Sequence, residues 1–230
     1  MKIIRTAAII LAATVAFSSS AFSADDIATQ EEIASAFDVA FGVALTSRYM
    51  SRGASVSDGP AFQGYIEPSY GMFYAGAWFS TIGGDADDDV EVDLYLGVRP
   101  EFGNLSLDFG YAHYLYDESE DSGEIYAKAT YAFTDFFSAG GELYYDHVYE
   151  TTYGVANVEI GLPYDFTLSA AIGTYLDGDD TDPVDWNAGL SYTFNDLVTI
   201  DGRYHDSNFD HGRFVASISL DTSWSALRRK

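Results

Sequence analysis

The sequence predicts an all-β chain closed into a transmembrane antiparallel up-and-down barrel of about twelve strands. Three observations point there. From Phe37 to Trp224 the chain divides into segments of about ten residues, apolar on alternate positions. Tight turns alternate with longer and often acidic connections. No apolar run approaches the roughly eighteen residues that a membrane-spanning helix needs.

Lys2 and Arg5 precede an apolar run from Thr6 to Phe17, which is followed by small polar residues and an Ala-x-Ser site at Ala21 and Ser23. This is the pattern of an export signal, so residues 1–23 are expected to be a cleaved signal peptide, cut after Ser23. Residues 24–36 are expected to be an acidic, flexible lead-in, with a short helix at Glu31 to Ala36 as the less favoured alternative. The barrel is expected over 37–224 and a basic tail over 225–230, ending in Arg228, Arg229 and Lys230. The expected location is the outer membrane of a Gram-negative bacterium.

Strands are expected at Phe37 to Met50, Pro60 to Ser69, Met72 to Ile82, Val90 to Pro100, Leu105 to Tyr116 and Glu124 to Thr134. The second half continues with Phe136 to His147, Thr152 to Leu162, Phe166 to Leu176, Val184 to Phe194, Leu197 to Asp206 and Arg213 to Trp224. An even number leaves both barrel termini on one side. Tyr70-Gly71, Glu101 to Asn104, Thr134-Asp135, Pro163 to Asp165 and Asn195-Asp196 read as tight turns, because Gly, Pro, Asn and Asp suit their backbone angles. The connections Gly83 to Asp89, Asp117 to Gly123 and Asp177 to Asp182 are longer and acidic, so they belong outside the cell.

The alternation is clearest from Val184 to Phe194. There Val184, Trp186, Ala188, Leu190, Tyr192 and Phe194 share one face, and Asp185, Asn187, Gly189, Ser191 and Thr193 share the other. The same alternation would suit a soluble, lipocalin-like barrel turned the other way. Strand length, the small and charged polar face, and aromatics gathered near strand ends favour lipid.

Asp and Glu number 36 against 11 Lys and Arg, a formal net charge of -25 that becomes about -27 without Lys2 and Arg5. Such a surface repels nucleic acid. The chain has no cysteine, so closure of the sheet rather than disulfides must hold it together. An aromatic fraction of 16% along the periodic segments argues against disorder.

The stretch VALTSRYMSRGASVSDGPAFQGYIEPSYGMFYAGAWFSTI from Val43, with S-R-Y-x-x-R-G at Ser47 to Gly53, resembles the opening of the TorF-like porin family, also known as Gcw_chp. EVDLYLGVRPEFGNLSLDFGYAHYLYD from Glu91, LPYDFTLSAAIGTYLD from Leu162 and DWNAGLSYTF from Asp185 continue the likeness over nearly the whole exported chain. The resemblance implies an outer-membrane porin with no catalytic residue and no cofactor. Its partners would be outer-membrane lipid and lipopolysaccharide, small hydrophilic solutes or cations, and the barrel-assembly machinery. Family members end on a final aromatic, whereas here Trp224 is followed by Ser225 to Lys230.

With the apolar face outward, Arg48, Glu67, Glu91, Asp93, Arg99, Asp108, Lys128, Glu142, Glu159, Asp185, Asp201 and Arg203 are expected to line the pore. Acidic groups prevail there, so a weak cation preference is expected. The alternative is a closed structural or surface-binding barrel, its lumen sealed by pairs such as Arg99 with Asp93 or Arg203 with Asp201. Arg48 and Arg52 could bind a carboxylate or phosphate on a passing solute, but an internal salt bridge to an acidic loop or a contact with lipopolysaccharide phosphate is favoured. Asp85, Asp87 and Asp89 imitate the start of an EF-hand, yet Val90 and Leu96 stand where Gly and Glu are needed, so no metal site is expected. His113 and His147 sit near the rim without a G-x-S-x-G elbow, which argues against a hydrolase.

Overall fold

A computed structural model describes residues 37–82, 88–177 and 183–228. The expected signal peptide, the lead-in and most of the acidic loops at 83–89 and 177–182, with the EF-hand-like Asp85 and Asp87, lie outside the described residues. Alternating apolar residues drive strand formation, and twelve long strands form. They are β1 (Phe37–Thr46), β4 (Ala61–Tyr70), β5 (Phe73–Thr81), β6 (Val90–Val98), β8 (Leu105–Tyr116) and β9 (Ser122–Thr134) in the first half. The second half has β10 (Phe137–Asp146), β11 (Thr151–Leu162), β12 (Phe166–Tyr175), β13 (Val184–Phe194), β14 (Val198–Ser207) and β15 (Arg213–Ser223). A two-residue hairpin, β2 (Met50–Ser51) with β3 (Ala54–Ser55), lies in the first connection, and β7 (Glu101–Phe102) pairs with the start of β8.

Each long strand pairs antiparallel with its sequence neighbour, and β1 pairs with β15 from Ala40 opposite Ser223 to Thr46 opposite Ser217. That last pairing closes the sheet, which removes both edges and satisfies the backbone without water. Short turns gather at one end and long connections at the other, which sets the turn end in the periplasm. The turns carry the backbone angles their residues favour: Asn195 and Asp196 have φ of 51° and 50°, and Tyr164 and Asp165 have 66° and 60°. Two successive left-handed residues match the right-handed twist of the flanking strands.

The apolar phase is the exposed one. Leu94, Ile172, Leu190, Ile200 and Ile218 are each more than two-fifths exposed, while Glu91, Glu124 and Ser80 on the other phase are almost wholly buried. A soluble protein would invert this order, so the outer surface is the lipid surface. Within the barrel, tyrosines lie across glycines of neighbouring strands. A Cβ at Gly97 would strike the Tyr74 ring and come within 2.6 Å of the Phe109 carbonyl oxygen, and one at Gly76 would strike Tyr95. Glycine at these two positions lets a large ring lie flat against the wall.

Most strand bounds shift by one or two residues, and the chain departs further from the sequence reading at two places. β1 ends at Thr46 instead of continuing to Met50, because the chain turns inward there: the Arg48 amide bonds the Thr46 hydroxyl, which donates to the Arg48 carbonyl. At the other terminus, Trp224–Arg228 forms a short helix where a solvated tail begins in the sequence reading. The Ser225 amide and hydroxyl donate to the Asp38 carboxylate at 2.9 and 2.6 Å, which fixes the helix to the start of β1.

Candidate functional site: the barrel lumen

The connection from Ser47 to Pro60 folds into the barrel. Arg48 organises it, giving N–H groups to the Ser55 hydroxyl at 3.0 Å and to the Ser57 and Asp58 carbonyls at 2.9 and 2.5 Å. The Tyr49 amide bonds the Ser57 hydroxyl at 2.8 Å, and the Tyr49 ring meets Trp78 edge-on at 5.6 Å. At the tip of the β2–β3 hairpin, Arg52 and Gly53 have φ of 44° and 77°. These are the angles of a two-residue hairpin turn, and they aim the Arg52 side chain across the lumen.

Arg52 meets Glu124 of β9 in a two-pronged ion pair, with both N–O distances 2.8 Å. Both side chains are buried, at 3% and 2% exposure. The guanidinium also lies over the rings of Tyr153 and Tyr144, 4.5 and 5.2 Å from their centres, and the Tyr114 hydroxyl donates to Glu124 at 2.9 Å. Gly53 presses against Asp185 of β13 and Ser207 of β14, and the Ser207 hydroxyl donates to the Gly53 carbonyl. The first loop therefore reaches across the extracellular third. Inner-face residues there, including Thr46, Ala61, Ser80 and Ser122, are buried, whereas Thr130 and Glu159 near the turn end are exposed.

Below the loop the two walls differ. From β4 to β11 the inner face carries Tyr65, Tyr74, Trp78, Tyr95, Tyr114, Tyr126, Tyr144 and Tyr153. From β12 through β15 to β1 it carries short residues such as Ser169, Ala171, Asn187, Ser191, Ser217 and Ala44, all of intermediate exposure. The first wall is a packed hydrogen-bonded layer, and the second is lined mainly by short side chains, with Arg203 lying across it onto Asp201, Asn187 and Ser169.

The residues expected to line the pore occupy defined places. Arg99 forks onto Glu67 at 2.6 and 3.1 Å and donates to Asp108 at 3.1 Å, with its guanidinium 3.7 Å from the Tyr74 ring centre. The Tyr74 hydroxyl reaches both Asp108 and, at 2.6 Å, the Tyr126 hydroxyl. Lys128 approaches Glu142 to 3.7 Å, and Glu142 also takes the Tyr144 hydroxyl and the Asn157 amide. Glu91 accepts from the Tyr116 hydroxyl at 2.9 Å and Asp185 from Tyr153 at 2.6 Å. Arg203 bonds Asp201 at 3.3 and 3.2 Å, Asn187 at 2.6 Å and Ser169 at 2.7 Å. Glu159 is exposed and Asp93 is buried. Arg48 is taken up by its own loop. The salt bridge of Arg52 goes to a strand carboxylate and not to an acidic loop.

The expected pore-lining set leaves out Glu124, although it falls on the polar face, and the inner tyrosines. Their phase was visible, since Glu124 and Tyr126 alternate with Ile125 and Ala127, but tyrosine counts as apolar in a pattern search and so was assigned to rims. His113 and His147 stand on the outside near the loop end, and both face the Tyr111 hydroxyl, at 3.5 and 3.2 Å. Neither is set against a serine in these contacts. Among the described residues, no three His, Cys, Asp or Glu side chains converge as a metal cage would require.

Residues 30–226 match the family described as "Bacterial protein of unknown function (Gcw_chp)". The chain belongs to the Gcw_chp family. No curated protein matches the sequence. Among solved structures, the Gcw_chp chain is similar to one titled "KdgM porin", with a TM-score of 0.61 and 10% identity over 80% of this chain and 98% of that one. The "NanC porin structure" matches with a TM-score of 0.57 and 13% identity, over 80% and 98% of the two chains. A further structure, "KdgM porin in complex with disordered oligogalacturonate", matches at 0.59 with 11% identity. At such identities the likeness establishes a shared fold: a closed twelve-stranded barrel of the outer-membrane porin type.

Proposed function

We propose that this Gcw_chp protein is an outer-membrane porin of the TorF-like kind that passes small hydrophilic solutes by passive diffusion, with a preference for cations. The observation that carries the reading is the unequal lumen. A packed tyrosine wall leaves the opposite side, β12 to β15 with β1, lined mainly by short side chains at intermediate exposure, crossed by the paired Arg203. A hydrophilic solute can slide along such a surface without displacing large rings. The porin fold of KdgM and NanC supports the same reading.

Carboxylates outnumber cations on the inner face, and Arg52, Arg99, Lys128 and Arg203 each have a carboxylate partner. Charges left on the wall lower the energy of a cation and raise that of an anion. KdgM has been captured with oligogalacturonate, an anionic sugar polymer. The acidic lumen of the present chain favours neutral or positively charged solutes instead.

The first loop favours a second element of the proposal: the extracellular mouth is narrowed by the Arg52 hairpin, so conduction depends on how far that hairpin withdraws. The closed structural barrel is the alternative, and it predicts silence. The test is uptake of uncharged sugars of increasing size into liposomes that hold the refolded protein. Swelling that falls off with solute size supports diffusion through a pore. Liposomes that stay silent despite verified insertion would overturn it.

A further inference from the structure

The inner wall repeats one arrangement. Arg52 lies over Tyr153 and Tyr144 and pairs with Glu124, Arg99 lies over Tyr74 and pairs with Glu67 and Asp108, and Lys128 lies 5.0 Å from the Tyr126 ring centre and pairs with Glu142. Each is a protein cation held between an aromatic face and a carboxylate, two attractions that strengthen away from water.

Glu91 and Asp93 both lack a cation partner among the described residues; Glu91 accepts the Tyr116 hydroxyl, and the carboxylate that borders a cavity is Asp93. It stands in register between Trp78 of β5 and Tyr114 of β8, so aromatic side chains flank it on both neighbouring strands. It is 4% exposed, and its Oδ1 atom has no hydrogen-bond partner. A bare buried carboxylate oxygen is costly unless something meets it. Beside it lies a cavity of about 60 Å³ bounded by Trp78, Asp93, Tyr95, Tyr114 and Tyr126. One water needs roughly 10–15 Å³ of such space, so there is room for a small ion with its remaining water. Arg99, Asp108 and Lys128 also border the cavity, and both cations are already paired, Arg99 with Glu67 and Asp108 and Lys128 with Glu142.

We propose that this cavity binds a monovalent cation of the sodium, potassium or ammonium class, held by the Asp93 carboxylate and the faces of Trp78 and its tyrosine neighbours. The aromatic faces and the single carboxylate repeat what the wall does for Arg52, Arg99 and Lys128. A divalent ion would need several converging acids, and among the described residues no such group exists. The site would give the proposed cation preference a location, but it is occupied at equilibrium whether or not the barrel conducts.

The probe is thallium(I), a potassium-sized ion that quenches tryptophan fluorescence. The chain has three tryptophans, and two of them, Trp186 and Trp224, are on the exposed surface. In refolded full-length protein carrying Trp186→Phe and Trp224→Phe, Trp78 alone reports. The expected result is saturable quenching that potassium competes away and that Asp93→Asn abolishes. Quenching that rises linearly with thallium and is identical in Asp93→Asn would overturn the site, whatever the conductance. Should Asp93→Asn not fold, thallium NMR on the unaltered protein decides: a shifted line that saturates supports the site, and an unshifted line overturns it.

Discussion

Replacing Arg52 by alanine should open the extracellular mouth. The closed loop is held by two charge-assisted hydrogen bonds of 2.8 Å between side chains at 3% and 2% exposure. Removing one partner of a buried pair costs about 3–5 kcal/mol, because the remaining charge is stranded. At about 1.4 kcal/mol per factor of ten, the ratio of closed to open hairpin should fall by roughly a hundred- to several-thousand-fold. Arg52 also holds a left-handed φ of 44°, a strain of about 1–2 kcal/mol for a residue with a Cβ, so the hairpin tip has little reason to stay once the pair is broken. The barrel itself should survive, since its ladders do not include Arg52. The assay is single-channel conductance in a planar bilayer, with the heat-dependent gel shift as the check on folding. Larger unitary steps or more open time are expected for Arg52→Ala, and a smaller gain for Arg52→Ala with Glu124→Ala, where no charge is left stranded. Unchanged steps from folded Arg52→Ala would refute the idea that this loop is the constriction.

Other perturbations follow from the same geometry. Leu190→Arg places a charge near mid-height on the lipid face and should cost about 2–4 kcal/mol of folding stability, read from urea titration in lipid. Gly97→Ala forces a methyl against the Tyr74 ring and the Phe109 carbonyl, so a loss of about 1–3 kcal/mol is expected in the same titration. Outside the membrane, burial alone would raise the Asp88 carboxyl, but the Ser119 hydroxyl and the amides of Glu118 and Ser119, at 2.7 and 2.9 Å, outweigh it and hold it below the usual carboxylate range. A lowered folded value makes this lock complete above the ordinary range and lost as pH falls through the lower one. Exchange of the Glu118 and Ser119 amides should therefore stay slow at mildly acidic pH and accelerate only below the ordinary range. Fast exchange at neutral pH would contradict it.

The barrel was legible because a two-residue period is a local property. Val184 to Phe194 declares its two faces without reference to any other segment, and Asn195-Asp196 declares the turn that follows. The lumen was only half legible. Phase placed Glu67, Asp93 and Asp108 on the inner face, but which cation each would meet depends on strands far apart in sequence. Glu124 is 72 residues from Arg52, and nothing local announces that pairing. The Arg-Gly at the hairpin tip was visible as part of the S-R-Y-x-x-R-G segment, yet a two-residue turn could equally have pointed outward. Its inward direction comes from the Arg48 contacts that fold the loop back on itself. The inner tyrosines were hidden by their double nature, since rings that fit a headgroup belt fit a polar core equally well when their hydroxyls find carboxylates.

The most direct test of the account is the reversal potential of the refolded barrel across a potassium chloride gradient in a planar bilayer. Discrete steps with a reversal potential of the cation-selective sign are predicted, reduced toward zero when the inner carboxylates Glu159 and Asp201 are made neutral. Discrete steps of the anion-selective sign, or silence from barrels shown to be folded and inserted, would contradict it.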